Sequence, residues 1–211
     1  MIELRRRIMV SAGGSPFPQG FVDLGLPSGL LWAKGNLCKD SQGNYSIGEE
    51  TDYGTYVSWG NTDGHNNGDG YSFGSTNYNK TPGKSVSGDI PSNDATHDIA
   101  FARLGTPWHL PTKENFQEIY DNTDSERTTI NGITGHKFMK KSDHSVYIFL
   151  PASGRYYGTN LQNSSNGYYW SSSYDPSGTA YLLLFSSSAF NPQYHNVGRE
   201  YGLTVRPVCN L

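Results

Sequence analysis

Apolar residues in this chain come in short bursts between polar, glycine-rich stretches, and the bursts mark out its elements. Residues 21–26 and 30–33 read as strands around the turn Pro27-Ser28-Gly29. Residues 93–104 predict a helix: Ser92 or Asn93 caps it, Ala95, Ile99 and Ala102 share a face, and Gly105 stops it. Residues 113–121 predict a second helix. Thr112 caps it after Pro111, Glu114 suits the positive helix start, and Phe116, Ile119 and Tyr120 form the buried stripe. Asn131-Gly132 signals a turn between strands. In residues 145–150, Val146, Ile148 and Leu150 alternate with Ser145, Tyr147 and Phe149. The last fifth holds three more strands, at residues 168–172, 179–185 and 203–208. Two helices, many short strands and a pairing of the first and last strands predict an α+β domain over residues 21–211, behind a leader of residues 1–20.

Composition sharpens this. A chain of 211 residues is long enough for one domain with a sizeable core. Only 35% of it is apolar while 13% is aromatic, so the core should be aromatic-rich and the loops long. The net charge of −3, without an extended basic stripe, argues against nucleic acid as a partner. No apolar run is long enough to insert in a membrane as a helix, and the first residues lack the apolar stretch of a secretory signal. Arg5, Arg6 and Arg7 suit docking of the leader onto a fibre or partner subunit, or simple solvation. Cys38 and Cys209 fit no metal spacing and read as unpaired thiols, although pairing of the end strands would bring them closer.

Residues 154–202 contain eight tyrosines and nine serines, and no lysine follows Lys141. Tyrosine supplies rigid amphipathic contact area and Ser, Gly and Asn supply adaptable hydrogen bonds, the composition of a paratope. Catalytic spacings are missing: there is no G-x-S-x-G, H-E-x-x-H, C-x-x-C or P-loop. Asp175 and Glu200 form the carboxylate pair of an enzymatic alternative, glycoside hydrolysis. The loop at residues 61–74 partly imitates a calcium loop through Asp63, Asn67 and Gly68, but its twelfth position is Gly74 rather than Glu. The expectation is no cofactor, with calcium in a different oxygen cage as the open alternative.

Several motifs carry a resemblance. VDLGLPSGLLWA at residues 22–33, GTYVSWG at 54–60, WHLPT at 108–112, IFLPA at 148–152, YWSS at 169–172 and VRPV at 205–208 occur in order. Together they resemble the Fibrobacter succinogenes major paralogous domain family of gut Bacteroidetes. The chain departs from that pattern at Lys34-Gly35, where a cysteine is usual, and at His109, where arginine is usual. The resemblance implies a C-type-lectin-like fold: two helices, short twisted antiparallel sheets and a long loop-rich ligand face. The same fold hosts formylglycine-generating enzymes, whose cysteine pair this chain does not place on the loop face.

The end of the chain is also similar to the variable region of diversity-generating retroelement proteins, through YWSS, AYLLLF at residues 180–185, NPQ at 191–193 and VRPV. That resemblance implies ligand contacts at Tyr168, Tyr174, Asp175, Gly178, Thr179, Leu182, Leu184, Ser186, Ala189, Tyr194, His195, Asn196 and Glu200. It places Tyr181, Leu183 and Phe185 in the packed set and turns Leu182 and Leu184 outward. Periodicity alone leaves the opposite facing open. The function expected is non-enzymatic binding of a protein or carbohydrate on a cell surface, from a phage tail or a bacterial surface.

Overall fold

The computed structural model describes residues 20–210, so the leader with Arg5 to Arg7 lies outside the described residues. Strands β1 (Phe21–Val22), β2 (Leu31–Ala33), β3 (Leu37–Lys39) and β4 (Tyr45–Ile47) open the chain. Helices α1 (Ser75–Tyr78) and α2 (Ile99–Leu104), strand β5 (Trp108–His109) and helix α3 (Lys113–Asn122) follow. A meander of β6 (Thr123–Ile130), β7 (Ile133–Lys140) and β8 (Asp143–Pro151) comes next, then the hairpin of β9 (Arg155–Tyr157) and β10 (Asn160–Gln162). Strands β11 (Gly167–Tyr174), β12 (Ala180–Phe185), β13 (Phe190–Tyr194) and β14 (Val208–Cys209) complete the order.

Every named strand pair is antiparallel. One sheet runs β1-β2-β14-β5, so the strands from the two ends of the chain do meet. Two others, β6-β7-β8 and β11-β12-β13, are meanders. Asn131 and Gly132 close the first meander's leading hairpin with φ of 50° and 81°, the left-handed pair that a tight two-residue turn requires.

This architecture corrects the expected α+β, C-type-lectin-like arrangement of two helices. The chain folds mostly as small antiparallel sheets, and the helices described are short, of four, six and ten residues. The first expected helix is the one that fails. Asp94 turns its carboxylate onto the Thr96 and His97 N–H groups (2.8 and 3.1 Å) and holds His97 Nδ1 at 2.7 Å. These local bonds compete with helical ones, so α2 starts only at Ile99, capped by Asp98 instead of Ser92 or Asn93. Helix α3 matches its sequence signal at the cap, where Thr112 and Asn115 form a reciprocal capping box, and in the buried Phe116 and Ile119, but Tyr120, expected in the buried stripe, is exposed.

The sheet β11-β12-β13 is covered on both faces. Tyr169, Leu183 and Phe185 join one core cluster with Leu24, Trp32, Phe116, Phe138 and Ile148. Tyr168, Trp170, Ala180 and Leu182 join another with Trp59, Ile99, Leu110, Leu203 and Val205. Period-two alternation therefore sorts side chains between two cores, not between core and water. Leu182 is fully buried and Leu184 is half-buried against the second cluster, so the outward placement of these two leucines is overturned. Tryptophans lock this second cluster reciprocally: Trp59 Nε1 donates to the Ser171 carbonyl (2.7 Å) and Trp170 Nε1 to the Val57 carbonyl (2.8 Å).

Arg206 of the VRPV motif is entirely buried. Its guanidinium donates to Asn36 Oδ1 (2.8 Å), the Ala33 carbonyl (3.0 Å) and the Phe149 carbonyl (2.6 Å), tying the end of β2 to β8. Burial lowers its pKa to about 10, which still leaves it charged at neutral pH. Tyr169 closes the network, donating its hydroxyl to the Pro151 carbonyl (2.6 Å).

Both cysteines are free. The end strands pair, but Cys38 sits on β3, which pairs with β4, whereas Cys209 on β14 pairs between β2 and β5. Burial pushes both thiols up to about 11, where little reactive thiolate forms.

Candidate ligand-binding face

One end of the β11-β12-β13 sheet gathers polar and aromatic groups from two loops. After β11, residues 175–179 (Asp-Pro-Ser-Gly-Thr) make a turn: Asp175 Oδ1 accepts from the Ser177 N–H (2.8 Å), and the Gly178 N–H donates to the Asp175 carbonyl (2.9 Å). The other loop follows β13, whose Tyr194 pairs with Leu182, and it brings His195 beside the turn. His195 Nδ1 lies 3.2 Å from Asp175 Oδ2, and Thr179 Oγ1 donates to the His195 carbonyl. The two partners differ in access: the Asp175 side chain is 8% exposed and that of His195 53%.

Tyr181 stands at the centre of this end. Its ring centroid is 5.2 Å from that of His195, and the Lys113 ammonium lies 4.1 Å above the ring. Lys113 reaches it because its own N–H is anchored on Ser173 Oγ (3.1 Å) at the start of α3. Sequence reasoning placed Tyr181 in the packed set and passed over Lys113. Tyr181 is half-buried instead. The Asp-Pro-Ser-Gly turn signature was the available signal, since it fixes where β12 restarts.

The thirteen expected contact residues do not form one patch. Tyr174, Asp175, Gly178, Thr179, Tyr194, His195 and Asn196 gather at this end, by strand register and sequence. Ser186 and Ala189 lie at the opposite end, in the β12–β13 turn, where the Ser186 N–H donates to the Ala189 carbonyl (2.8 Å). Tyr168 pairs with Leu184 toward that far end and is buried, so it is not a surface contact; its hydroxyl accepts from Asn163 Nδ2 (3.0 Å). Leu182 belongs to the core, and Leu184 packs against it. Gly178 has φ 92°, a backbone that a side chain strains, so it serves the turn. Glu200 is half-buried, its carbonyl accepting from Ser58 Oγ at 3.4 Å.

Electrostatics bear on the enzymatic alternative. Hydrogen bonds from Ser177, then Tyr181, with the nearby His195, hold the Asp175 carboxyl below its ordinary range. A glycosidase acid needs a carboxyl raised above that range, so Asp175 does not suit the acid's role and stays an ionised acceptor.

In the calcium-like loop the oxygens are already engaged. Asp63 meets Lys39 Nζ at 2.8 Å, Asp69 accepts from the Asn66 N–H (2.9 Å) and Tyr71 N–H (2.9 Å), and Asn67 accepts from the Tyr156 hydroxyl. Among the described residues no group of three or more His, Cys, Asp or Glu side chains converges as a metal site. No helix among them is long and apolar enough to cross a membrane.

Residues 118–208 match a family model described as a domain of unknown function (DUF8237). The match runs from within α3 to β14 and so contains both three-stranded meanders and the face at the end of the second. No curated protein and no solved structure matches the chain.

Proposed function

We propose that this chain is a non-enzymatic binding protein whose ligand meets the end of the β11-β12-β13 sheet around Thr179, Tyr181, Tyr194, His195 and Asn196. The observation that carries this reading is the contrast within one short stretch. Strands sealed on both faces by core clusters end in exposed or half-exposed Tyr, His, Asn and Thr side chains. A rigid support with polar aromatic tips provides contact area at small entropic cost. It is also what a diversified protein needs, because exposed residues exchange with little effect on stability. In the retroelement reading, variation falls on these tips. The ligand is a protein or carbohydrate on a cell surface, met from a phage tail or from a bacterial surface.

Labelled protein titrated onto intact cells of a panel of gut Bacteroidetes strains tests this. Saturable binding to some strains should fall at least tenfold in the double variant His195→Ala/Asn196→Ala, both exposed positions, a change of about 1.4 kcal/mol or more. The variant should keep the wild-type unfolding midpoint. Binding that survives the double variant unchanged, or no binding to any strain, would count against the proposal.

A further inference from the structure

Lys113 leans on the terminal face, but its neighbours Thr112 and Asn115 turn toward a separate groove. The groove has two lobes, of about 300 Å³ and about 210 Å³, which share Ser92, His109 and Asn210. The larger lobe, at the lower edge of ordinary small-molecule pockets, has Leu30 and Ile90 among its walls. None of the thirteen terminal positions lines either lobe.

His109 gives the groove its chemistry. Nδ1 lies 2.9 Å from the Leu110 carbonyl, which can only accept, so Nδ1 holds the ring proton. Burial lowers the ring's affinity for a second proton, so Nε2 is left as an acceptor. The residue is 8% exposed, and the group reaching Nε2 is Asn210 Nδ2, at a long 3.4 Å from an exposed residue. A buried acceptor with so weak a partner is a place where a ligand hydroxyl gains a full hydrogen bond. Further donors stand ready in the larger lobe. Among the described residues neither Ser172 Oγ nor Asn115 Nδ2 has a protein partner, whereas Ser28 Oγ is committed to Glu118 (2.7 Å).

The lining also excludes other ligand classes. No Lys, Arg, Asp or Glu side chain lines either lobe, so a charged ligand would lose its water without a counter-charge. A wholly apolar ligand would bury the hydroxyl, amide and imidazole groups unpaired. A molecule with a hydroxyl edge and a C–H face satisfies both walls. We propose that this groove binds a neutral sugar or similar polyol, with a ligand hydroxyl donating to His109 Nε2 and the C–H face against Leu30 and Ile90. The site goes beyond the terminal binding face and stands or falls independently of it.

The test uses the full chain with labelled histidine nitrogens, titrated into the millimolar range with glucose, galactose, mannose and N-acetylglucosamine, and with glucuronate and glucosamine as charged counterparts. At least one neutral sugar should shift the His109 Nε2 resonance saturably, and the charged sugars should not. Ser92→Phe, an exposed position where the lobes join, should abolish the shift, and Asn115→Ala should weaken binding about tenfold, as loss of one good hydrogen bond does. His195→Ala should leave the titration unchanged. No saturable shift with any neutral sugar, an undiminished shift in Ser92→Phe, or its loss in His195→Ala would overturn the assignment.

Discussion

Replacing Arg206 with methionine removes a cation from the interior while keeping a side chain of similar length. The guanidinium makes three bonds of 2.6–3.0 Å, all to neutral acceptors: Asn36 Oδ1 and the carbonyls of Ala33 and Phe149. Without it, three buried acceptors lose a donor, at about 1–3 kcal/mol each. Against that, the variant no longer carries the desolvation penalty of a buried charge, worth several kcal/mol. The balance should be a loss of about 2–4 kcal/mol, because three acceptors left without a donor outweigh the relieved desolvation of one charge. Arg206→Lys retains the charge, but one ammonium cannot reproduce the fork that reaches three acceptors on two segments, so it too should lose about 2 kcal/mol or more. Urea denaturation followed by tryptophan fluorescence measures both, with the slope of the transition checking that the unfolded state is unchanged. An Arg206→Met variant within about 1 kcal/mol of wild type at unchanged slope would refute the claim that this network organises the fold.

Two further predictions concern the core and its charges. Leu182→Ala should cost about 2–5 kcal/mol because Leu182 is fully buried, whereas Asn196→Ala should stay within about 0.5 kcal/mol; thermal melts of the two compare them directly, and equal effects would mean the strand's facing is wrong. Burial raises the Asp98 carboxyl from 3.8 to about 7 in the folded chain. Between those values the folded state holds the proton that the unfolded state has released, so this group makes stability fall as pH rises from about 4 to about 7. His136 opposes it, because burial lowers its pKa to about 4 and acid must then charge a buried ring. The comparison of wild type with Asp98→Asn isolates the aspartate: the wild type should gain on the variant as pH drops from 8 to 5, and parallel stability curves would contradict this.

What the sequence revealed was mainly local. Thr112 was legible as a cap because its signals, Pro111 before it and Glu114 in the first turn, lie within two residues. The Asn131-Gly132 turn was legible for the same reason. The start of α2 was not, because the apolar period continues across residues 93–104 while Asp94 diverts the backbone. The largest meander was only half visible: β6, with the sequence TDSERTTI, shows little apolar alternation because much of it faces outward. Leu182 posed a question that alternation cannot answer, since a strand covered on both faces has no polar side. The motif stretches mark buried strands and loops, but nothing in VRPV distinguishes a buried arginine from a solvated one. The polar and aromatic character of this end of the sheet was legible in composition, in the Tyr, Ser and Asn of the last loops. Its geometry, with Tyr181 between Lys113 and His195, depends on α3 packing beside β12, a contact between segments far apart in the chain.

The central claim is that exchange is confined to the rim of a sheet sealed on both faces, and the DNA around the gene tests it most directly. Sequencing downstream of the coding region should find a near-copy of the stretch encoding residues 167–208, with differences at adenines of the copy. Mapped onto the chain, those differences should fall on Thr179, Ser186, Ala189, Tyr194, His195 and Asn196 and spare Trp170, Leu182, Phe185 and Arg206, which are fully buried. A copy whose differences strike Leu182 or Trp170 as often as His195, or a locus with no copy, would contradict the account.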